Sequence, residues 1–292
     1  MLKILFMLLA ISDGYGVSFS VNDSPIQNVD KNTSTDEILE LATGVALIVN
    51  KSRTVEQLLK LTQIDDRRFP TSNHMKQHPP VCGNFRLKDQ LSAPDNCTGF
   101  LVGENLLMTA GHCIDDIEQF CSDHAIVFDF YQRVVQEESK SASIVNVECE
   151  KVVLHKHNRP FDYAVLKLKQ RVKNRHIFSI DKKPYKQKGK DVFVMGHPLG
   201  TPMKITEPDI LIKIEKDGLI STGLDLFAGN SGSPLIAQRT HKVLGIVSHG
   251  PFDFDYDSEH RCAVEKDCTD GSCSNNMSFP ISAIYGEVKK LL

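Results

Sequence analysis

The chain has 292 residues, of which 41% are hydrophobic, so it can bury a full core as one large β domain or two small domains. Its formal charge is -3, with both signs mixed along the chain and no long basic run, which gives no ground for a nucleic-acid partner. No internal repeat, low-complexity segment or second domain of different composition breaks the sequence.

The first residues read as a secretory signal. Lys3 supplies the positive start, and residues 4–11 form an apolar run. That run is shorter than the roughly 20 residues of a membrane span but fits a signal peptide. Small residues at Gly14 and Gly16, or at Ser18 and Ser20, allow cleavage, so residues 1–16 are expected to be removed, with the cut as late as residue 20. An uncleaved anchor is the alternative. Residues 17–40 then form a polar lead-in, and residues 41–292 a single domain. Within the lead-in, Ser34-x-x-Glu37 before Ile38, Leu39 and Leu41 predicts a capping box and a short helix.

Residues 45–49 predict the first strand, residues 55–61 a helical turn, and the charged, proline-flanked segment 65–80 an exposed loop. Residues 100–102 and 106–109 predict a hairpin around Gly103-Glu104-Asn105. Further strands are expected at 125–130, 143–147, 163–168 and 191–195, with 151–155 leading to a loop, a hairpin from 209–214 and 218–222, and a strand at 242–248. His155 and His157 read as surface histidines on a loop, and the acidic stretch 253–259 as a solvated loop. The tail repeats apolar residues at helical spacing (Ile281, Ile284, Tyr285, Val288), with Ser282 as a possible cap. Many short strands with helices mainly at the ends predict an all-β barrel or sandwich.

Eight cysteines (Cys82, Cys97, Cys113, Cys121, Cys149, Cys262, Cys268, Cys273) follow the signal, and their even number predicts disulfides in an oxidising compartment. A metal site is the weaker reading, because Cys262-x5-Cys268-x4-Cys273 lacks the short paired spacing of zinc knuckles.

Three stretches carry chemistry. Gly229-Asn230-Ser231-Gly232-Ser233-Pro234 is a small-residue turn between apolar segments. Such a turn can present a serine hydroxyl beside converging backbone N–H groups, the nucleophile and oxyanion hole that acyl transfer needs. An ordinary glycine–serine loop has the same composition. A serine needs a base, and the base an orienting carboxylate. His112, in Thr109-Ala110-Gly111-His112-Cys113, and Asp162, in Phe161-Asp162-Tyr163-Ala164-Val165, are the candidates.

Taken together in the order His, Asp, Ser, these motifs resemble the active-site motifs of chymotrypsin-fold, trypsin-like serine proteases, over about residues 41–292. Gly-Asn-Ser-Gly-Ser in place of Gly-Asp-Ser-Gly-Gly places the resemblance in the secreted branch near the bacterial glutamyl endopeptidases. The resemblance implies two packed six-stranded antiparallel β-barrels with the site between them, and a C-terminal helix. It implies Ser231 as nucleophile, His112 as base, Asp162 as its orienting group, and the N–H groups of Gly229 and Ser231 as the oxyanion hole. It also implies that Ser248, His249 and Gly250 pair with substrate backbone, and that Cys97 is bridged to Cys113. Cys121–Cys149 is plausible from order, leaving Cys82, Cys262, Cys268 and Cys273 with three possible pairings. No cofactor or metal is implied, and the expected partner is a polypeptide substrate met by a secreted monomer with no stable membrane span.

Several residues depart from that pattern. Asn230 cannot form the ion pair that activates the trypsin group, so activation by that switch is not expected. The dibasic Arg67-Arg68 is a poor activation site, since cutting there removes the strand at 45–49. Control by the lead-in remains an option. Asp225, six residues before Ser231, matches the pocket-base aspartate and suggests cleavage after Arg or Lys, unless it turns to solvent or backbone. Val247 stands where glutamyl endopeptidases have a histidine, which argues against glutamate preference. Asn22, Asn32, Asn50, Asn96 and Asn276 begin glycosylation sequons. A catalytically silent, protease-like binding protein is the alternative function, and an esterase using the same groups a third.

Overall fold

The computed structural model describes residues 26–30, 34–51, 64, 68–71, 78–93, 96–132, 144–184, 191–266 and 276–292. The leader, the helical turn expected at 55–61, Arg67, Asn22, Asn32, Cys268 and Cys273 lie outside them.

Strands β2 (Val45–Asn50), β3 (Cys97–Gly103), β4 (Leu106–Thr109), β5 (His124–Phe128), β6 (Val145–Asn158) and β7 (Phe161–Leu168) close into a barrel in the order β2-β3-β4-β7-β6-β5. All neighbouring pairs run antiparallel. β2, β3 and β4 read as near-continuous apolar runs because both faces are buried, whereas β6 is largely exposed or half-buried. Ala46, Ile48, Leu101, Leu107, Ala164 and Leu166 pack in one cluster. Alternate residues Val45, Phe100, Met108 and Val165 pack in another, shared with Phe193, Met195, Ile246 and Phe279 of the second half. Burying such a side chain contributes roughly 1.5–3 kcal/mol, so the period of two that splits these residues between faces also welds the halves together.

The second half is a curled sheet of β1 (Ile26–Asn28), β8 (Asp191–Gly196), β9 (Lys204–Thr206), β10 (Asp209–Ile214), β11 (Ile220–Thr222), β12 (Pro234–Ala237), β13 (Val243–His249) and β16 (Asn276–Pro280). β12 pairs back onto β8, joining the ends of the run β8-β10-β11-β16-β13-β12. A separate hairpin, β14 (Phe254–Asp257) with β15 (Cys262–Glu265), stands beside it. A short helix α2 (Phe120–Asp123) precedes β5, and the chain ends in a 3-10 turn, Ile281–Ile284, leading into α3 (Tyr285–Val288). Ile281, Ile284 and Val288 are buried in the shared core, as the tail's helical spacing requires. None of the described helices is long and apolar enough to cross a membrane.

Local differences from the sequence reading have identifiable causes. The short helix α1 (Asp36–Ala42) is capped by Thr35, whose hydroxyl accepts from the Ile38 N–H at 3.3 Å, not by Ser34. Ser34 instead accepts from Asp30 N–H at 3.3 Å. The lead-in is not wholly irregular: β1 pairs with β9, and Val29, Ile38 and Leu41 enter the core. The strand expected at 143–147 continues through 151–155, where the chain was expected to lead to a loop, as one strand, β6, whose register shifts at two points along β7. The solvated loop expected at 253–259 contains β14. The tail helix starts from Pro280 with no side-chain cap, so Ser282 does not cap it.

Disulfides join Cys97 to Cys113, Cys121 to Cys149 and Cys82 to Cys262. The last spans 180 residues and ties the segment before Phe85 to β15.

Candidate active site

β4 ends at Thr109, and the chain turns through a 3-10 turn, Gly111–Cys113, that carries His112. A side chain at Gly111 would overlap the Lys156 carbonyl of β6, so only glycine lets this turn lie against the β6–β7 pair. Asp162 is the second residue of β7 and is buried. His112 Nδ1 lies 2.8 Å from its Oδ2, and the His112 backbone N–H donates to its Oδ1 at 2.8 Å. Ser248, on β13, donates its hydroxyl to the same Oδ2. Burial works against charge on Asp162, but the hydrogen bond and charge of His112, the Ser248 hydroxyl and the His112 amide outweigh it and hold the carboxyl down to about 2. A carboxylate that stays ionised fixes the ring with Nδ1 as the donor and leaves Nε2 free to take a proton.

The Ser231 turn faces this pair. Gly229 and Gly232 have φ of 92° and 86°, a region that side chains rarely enter. Within the turn, Asn230 N–H donates to Phe227 O, Gly232 N–H to Val247 O and Ser233 N–H to Asn230 O. The amides of Gly229 and Ser231 have no acceptor among the described residues. The turn is docked on the first barrel through Thr98 of β3, whose backbone N–H donates to Ser231 O at 2.8 Å. His112 and Ser231 line one cavity of about 570 Å³, together with Ser248, His249 and Gly250. No hydrogen bond joins Ser231 Oγ to His112 among the described residues. Such contacts are often long in a free enzyme and tighten with substrate bound.

The sequence matches the trypsin-like peptidase domain over residues 97–246, just over half of the chain. The chain belongs to the trypsin-like peptidase family. Among solved structures, this trypsin-like peptidase resembles the serine endoprotease from Yersinia pestis, with a TM-score of 0.51 and 14% identity over 87% of this chain. It covers 64% of that endoprotease chain, less than two thirds. It also resembles human heparin binding protein, with a TM-score of 0.57 and 10% identity over 91% of this chain and 94% of that one. At such identities the likeness shows the fold. No curated protein matches the sequence.

In this peptidase the structure brings together His112, Asp162, Ser231, Gly229, Ser248, His249 and Gly250, but not Asp225. The Asp225 carboxylate is bound to Arg86, which also binds Glu265, and Asp225 lines a small side recess instead of the cavity that holds Ser231. An internal guanidinium already holds the Asp225 charge, and Asp225 stands outside the cavity where a pocket base was expected. Arg86 is far from β15 along the chain but beside it in space, because Cys82–Cys262 and the hydrogen bonds Cys82 N–H to Ala263 O and Ala263 N–H to Pro80 O dock its segment there.

His155 and His157 stand on β6 and not on a loop; His157 is exposed, as a surface group, and His155 half-buried. His155 Nε2 lies 3.0 Å from Gly111 O, bracing the His112 turn, and the His157 ring lies 5.8 Å from that of His112. Asn96 and Asn276, read only as sequons, line the cavity. Asn96 Nδ2 donates to His197 O at 3.1 Å and Asn276 Nδ2 to Leu224 O at 2.7 Å. Asp253, read as part of a loop, lines the cavity as well. No short motif marks these residues; their places depend on which strands become neighbours.

Behind the nucleophile turn, His197 and Lys204 are buried. Desolvation, and secondarily the Lys204 charge, hold His197 down to about 3 against its bond to Thr201 O. Desolvation also lowers Lys204, whose Nζ donates to Pro202 O at 2.5 Å. Burial thus disfavours the charged form of both side chains.

Proposed function

We propose that this trypsin-like peptidase is a secreted serine endopeptidase that cleaves peptide bonds through an acyl-enzyme. The observation that carries the reading is the bidentate hold of Asp162 on His112, in the same cavity as Ser231. In the proposed reaction, Ser231 Oγ attacks the scissile carbonyl carbon while His112 Nε2 takes its proton. The Gly229 and Ser231 N–H groups receive the oxyanion. Collapse breaks the C–N bond, and His112 returns the proton to the leaving amine. Water, deprotonated by His112, then attacks the acyl carbon and frees Ser231. Asp162 stays ionised throughout and orients the imidazole. Ser248 to Gly250, at the open end of β13, offer backbone groups to an extended substrate.

Secretion is supported by the apolar leader and by three disulfides, which persist in oxidising compartments. The Gly229–Ser233 motif keeps the chain near the glutamyl endopeptidase branch, while Val247 argues against their glutamate preference.

The test is labelling of the secreted chain with a fluorophosphonate probe, beside Ser231→Ala and His112→Ala. Labelling of the parent and of neither variant is the expected result. A folded, disulfide-bonded parent that resists the probe overturns the reading. It would leave the second reading, a protease-like binding protein. The likeness to human heparin binding protein, named for binding, agrees with that alternative at the level of fold.

A further inference from the structure

The selectivity of the cleft is open once Asp225 is removed from it, and the endopeptidase reading above is the ground on which this inference rests. Beyond Ser231 the cavity has apolar walls, with Phe227, Phe254, Leu199 and Val247 among them. Phe254 lies 6.1 Å from Phe227 and 5.0 Å from Phe69, ring centre to ring centre. One carboxylate is set into this wall. Asp253 is only partly exposed, and its Oδ2 accepts the Ala228 N–H at 2.9 Å, one residue before Gly229. It borders both the cavity of Ser231 and the side recess of Asp225 and Glu265.

The charges around Asp253 are unequally matched. Arg86 binds Asp225 and Glu265 and stacks 5.2 Å over the Phe227 ring. Among the described ion pairs none joins a cation to Asp253. Lys266 borders the recess, and Arg68, His112 and His249 border the cavity. Two of the three carboxylates on this wall thus share one guanidinium, and the third, Asp253, borders the cavity of Ser231 as well as the recess.

We propose that Asp253, and not Asp225, is the specificity carboxylate of the cleft, receiving a cationic substrate side chain between apolar walls, with Arg86 as the built-in counter-ion that withdraws Asp225 and Glu265. A flat or long cation suits such a site, because its stem or ring meets the phenyl walls while its charge meets the carboxylate. The setting makes the preference dependent on pH. Burial, followed by the charges of Asp225 and Glu265 and against the Ala228 N–H, pushes the Asp253 carboxyl up to about 7. The carboxylate is then the dominant form only above that pH, and cation selectivity rises as pH increases through it.

The probe is benzamidine, a flat amidinium, titrated by calorimetry into the full secreted chain carrying Ser231→Ala, from about pH 6 to about pH 8.5, a span that brackets the ionisation. Binding is expected to tighten about tenfold across this range, the worth of one charge-assisted hydrogen bond. Adding Asp253→Asn, which keeps an acceptor for Ala228 N–H, is expected to weaken binding about tenfold at the upper end and to flatten the profile. Adding Asp225→Asn instead is expected to keep the rise. His112 and His249 face the same cavity, so the Asp253→Asn arm separates their charge from that of Asp253. Equal binding with and without Asp253→Asn, or loss with Asp225→Asn alone, overturns the proposal. Should Asp253→Asn fail to fold, a flat profile in the Ser231→Ala chain overturns it as well. The readout needs no turnover. Failure of fluorophosphonate labelling therefore sinks the endopeptidase reading alone, and a labelled parent with a flat amidinium profile sinks this inference alone.

Discussion

Thr98 and Ser231 are joined across the two halves of the fold: the Thr98 N–H donates to the Ser231 carbonyl at 2.8 Å. The same residue fastens the turn with its side chain. Its hydroxyl donates to Gly229 O at 2.9 Å and accepts the His197 N–H at 3.0 Å. A strand of the first barrel thereby holds both carbonyls that flank the proposed oxyanion donors.

Thr98→Val keeps the shape and the backbone bond but strands the His197 amide and the Gly229 carbonyl. Thr98 is fully buried, so water cannot replace the hydroxyl. The expected cost is about 1–3 kcal/mol in urea denaturation. Turnover is expected to fall with KM little changed, since the loosened element aligns donors and does not bind substrate side chains. A turnover equal to the parent's would show that the turn is set by the backbone bond alone.

Gly232→Ala is expected to prevent folding. The new Cβ would overlap the Thr98 carbonyl and Thr109 Oγ1 at a positive φ. Gly218→Ala is the control, because Gly218 also has a positive φ of 90° but nothing within 4 Å. Strain alone costs about 1 kcal/mol. Thermal denaturation of the two variants measures the difference. Similar melting points would mean that the turn can yield.

Asp162 has a lowered folded-state pKa, so its contribution to stability is present above the ordinary carboxylate range and is lost as pH falls toward about 2. Its size is about 2 kcal/mol. Urea denaturation of the parent and Asp162→Asn is expected to show a gap that is constant above about pH 5 and closes toward pH 2. A gap that widens on acidification contradicts the assignment. The same variant is expected to lose about 10⁴-fold in turnover near neutral pH, because an amide favours the wrong imidazole tautomer.

Ser248→Ala removes one of the donors that keep Asp162 ionised while leaving both His112 bonds in place. Turnover is expected to fall about five- to tenfold, the worth of one hydrogen bond to a charged group. The acid limb of the pH–rate profile should move upward in pH, and a profile that only drops in height would point to a packing defect.

Asn96 and Asn276 are expected to carry no glycan in folded protein from a glycosylating host. Their amide nitrogens donate to His197 O and Leu224 O, and Asn276 is 6% exposed. Glycopeptide mapping checks this. A glycan on either residue of folded, probe-labelled protein would contradict the described cavity wall.

Much of the architecture was legible in the chain itself. Apolar runs such as Val45 to Val49 have few places to go except a strand buried on both faces, and the tail's spacing at Ile281, Ile284 and Val288 suits only a helix against the core. Thr109 to Cys113, Phe161 to Val165 and Gly229 to Pro234 are local motifs, each written in neighbouring residues, so their chemistry could be read before any fold was known. What bonds join His112 to Asp162 across 50 residues, and that Ser231 lines their cavity, are properties of strand pairing. The surroundings of Asp225 depend on the fold for the same reason. Its spacing from Ser231 is local, but its partner Arg86 lies 139 residues away and arrives only through the docking of the Cys82 segment on β15. The sequence by itself determined the types of residue and the local turns, since those depend on propensity, periodicity and spacing. Only the tertiary structure decided which carboxylate meets a cation within the fold and which faces the cleft, because Coulomb and hydrogen-bond energies depend on distance in space and not on separation along the chain.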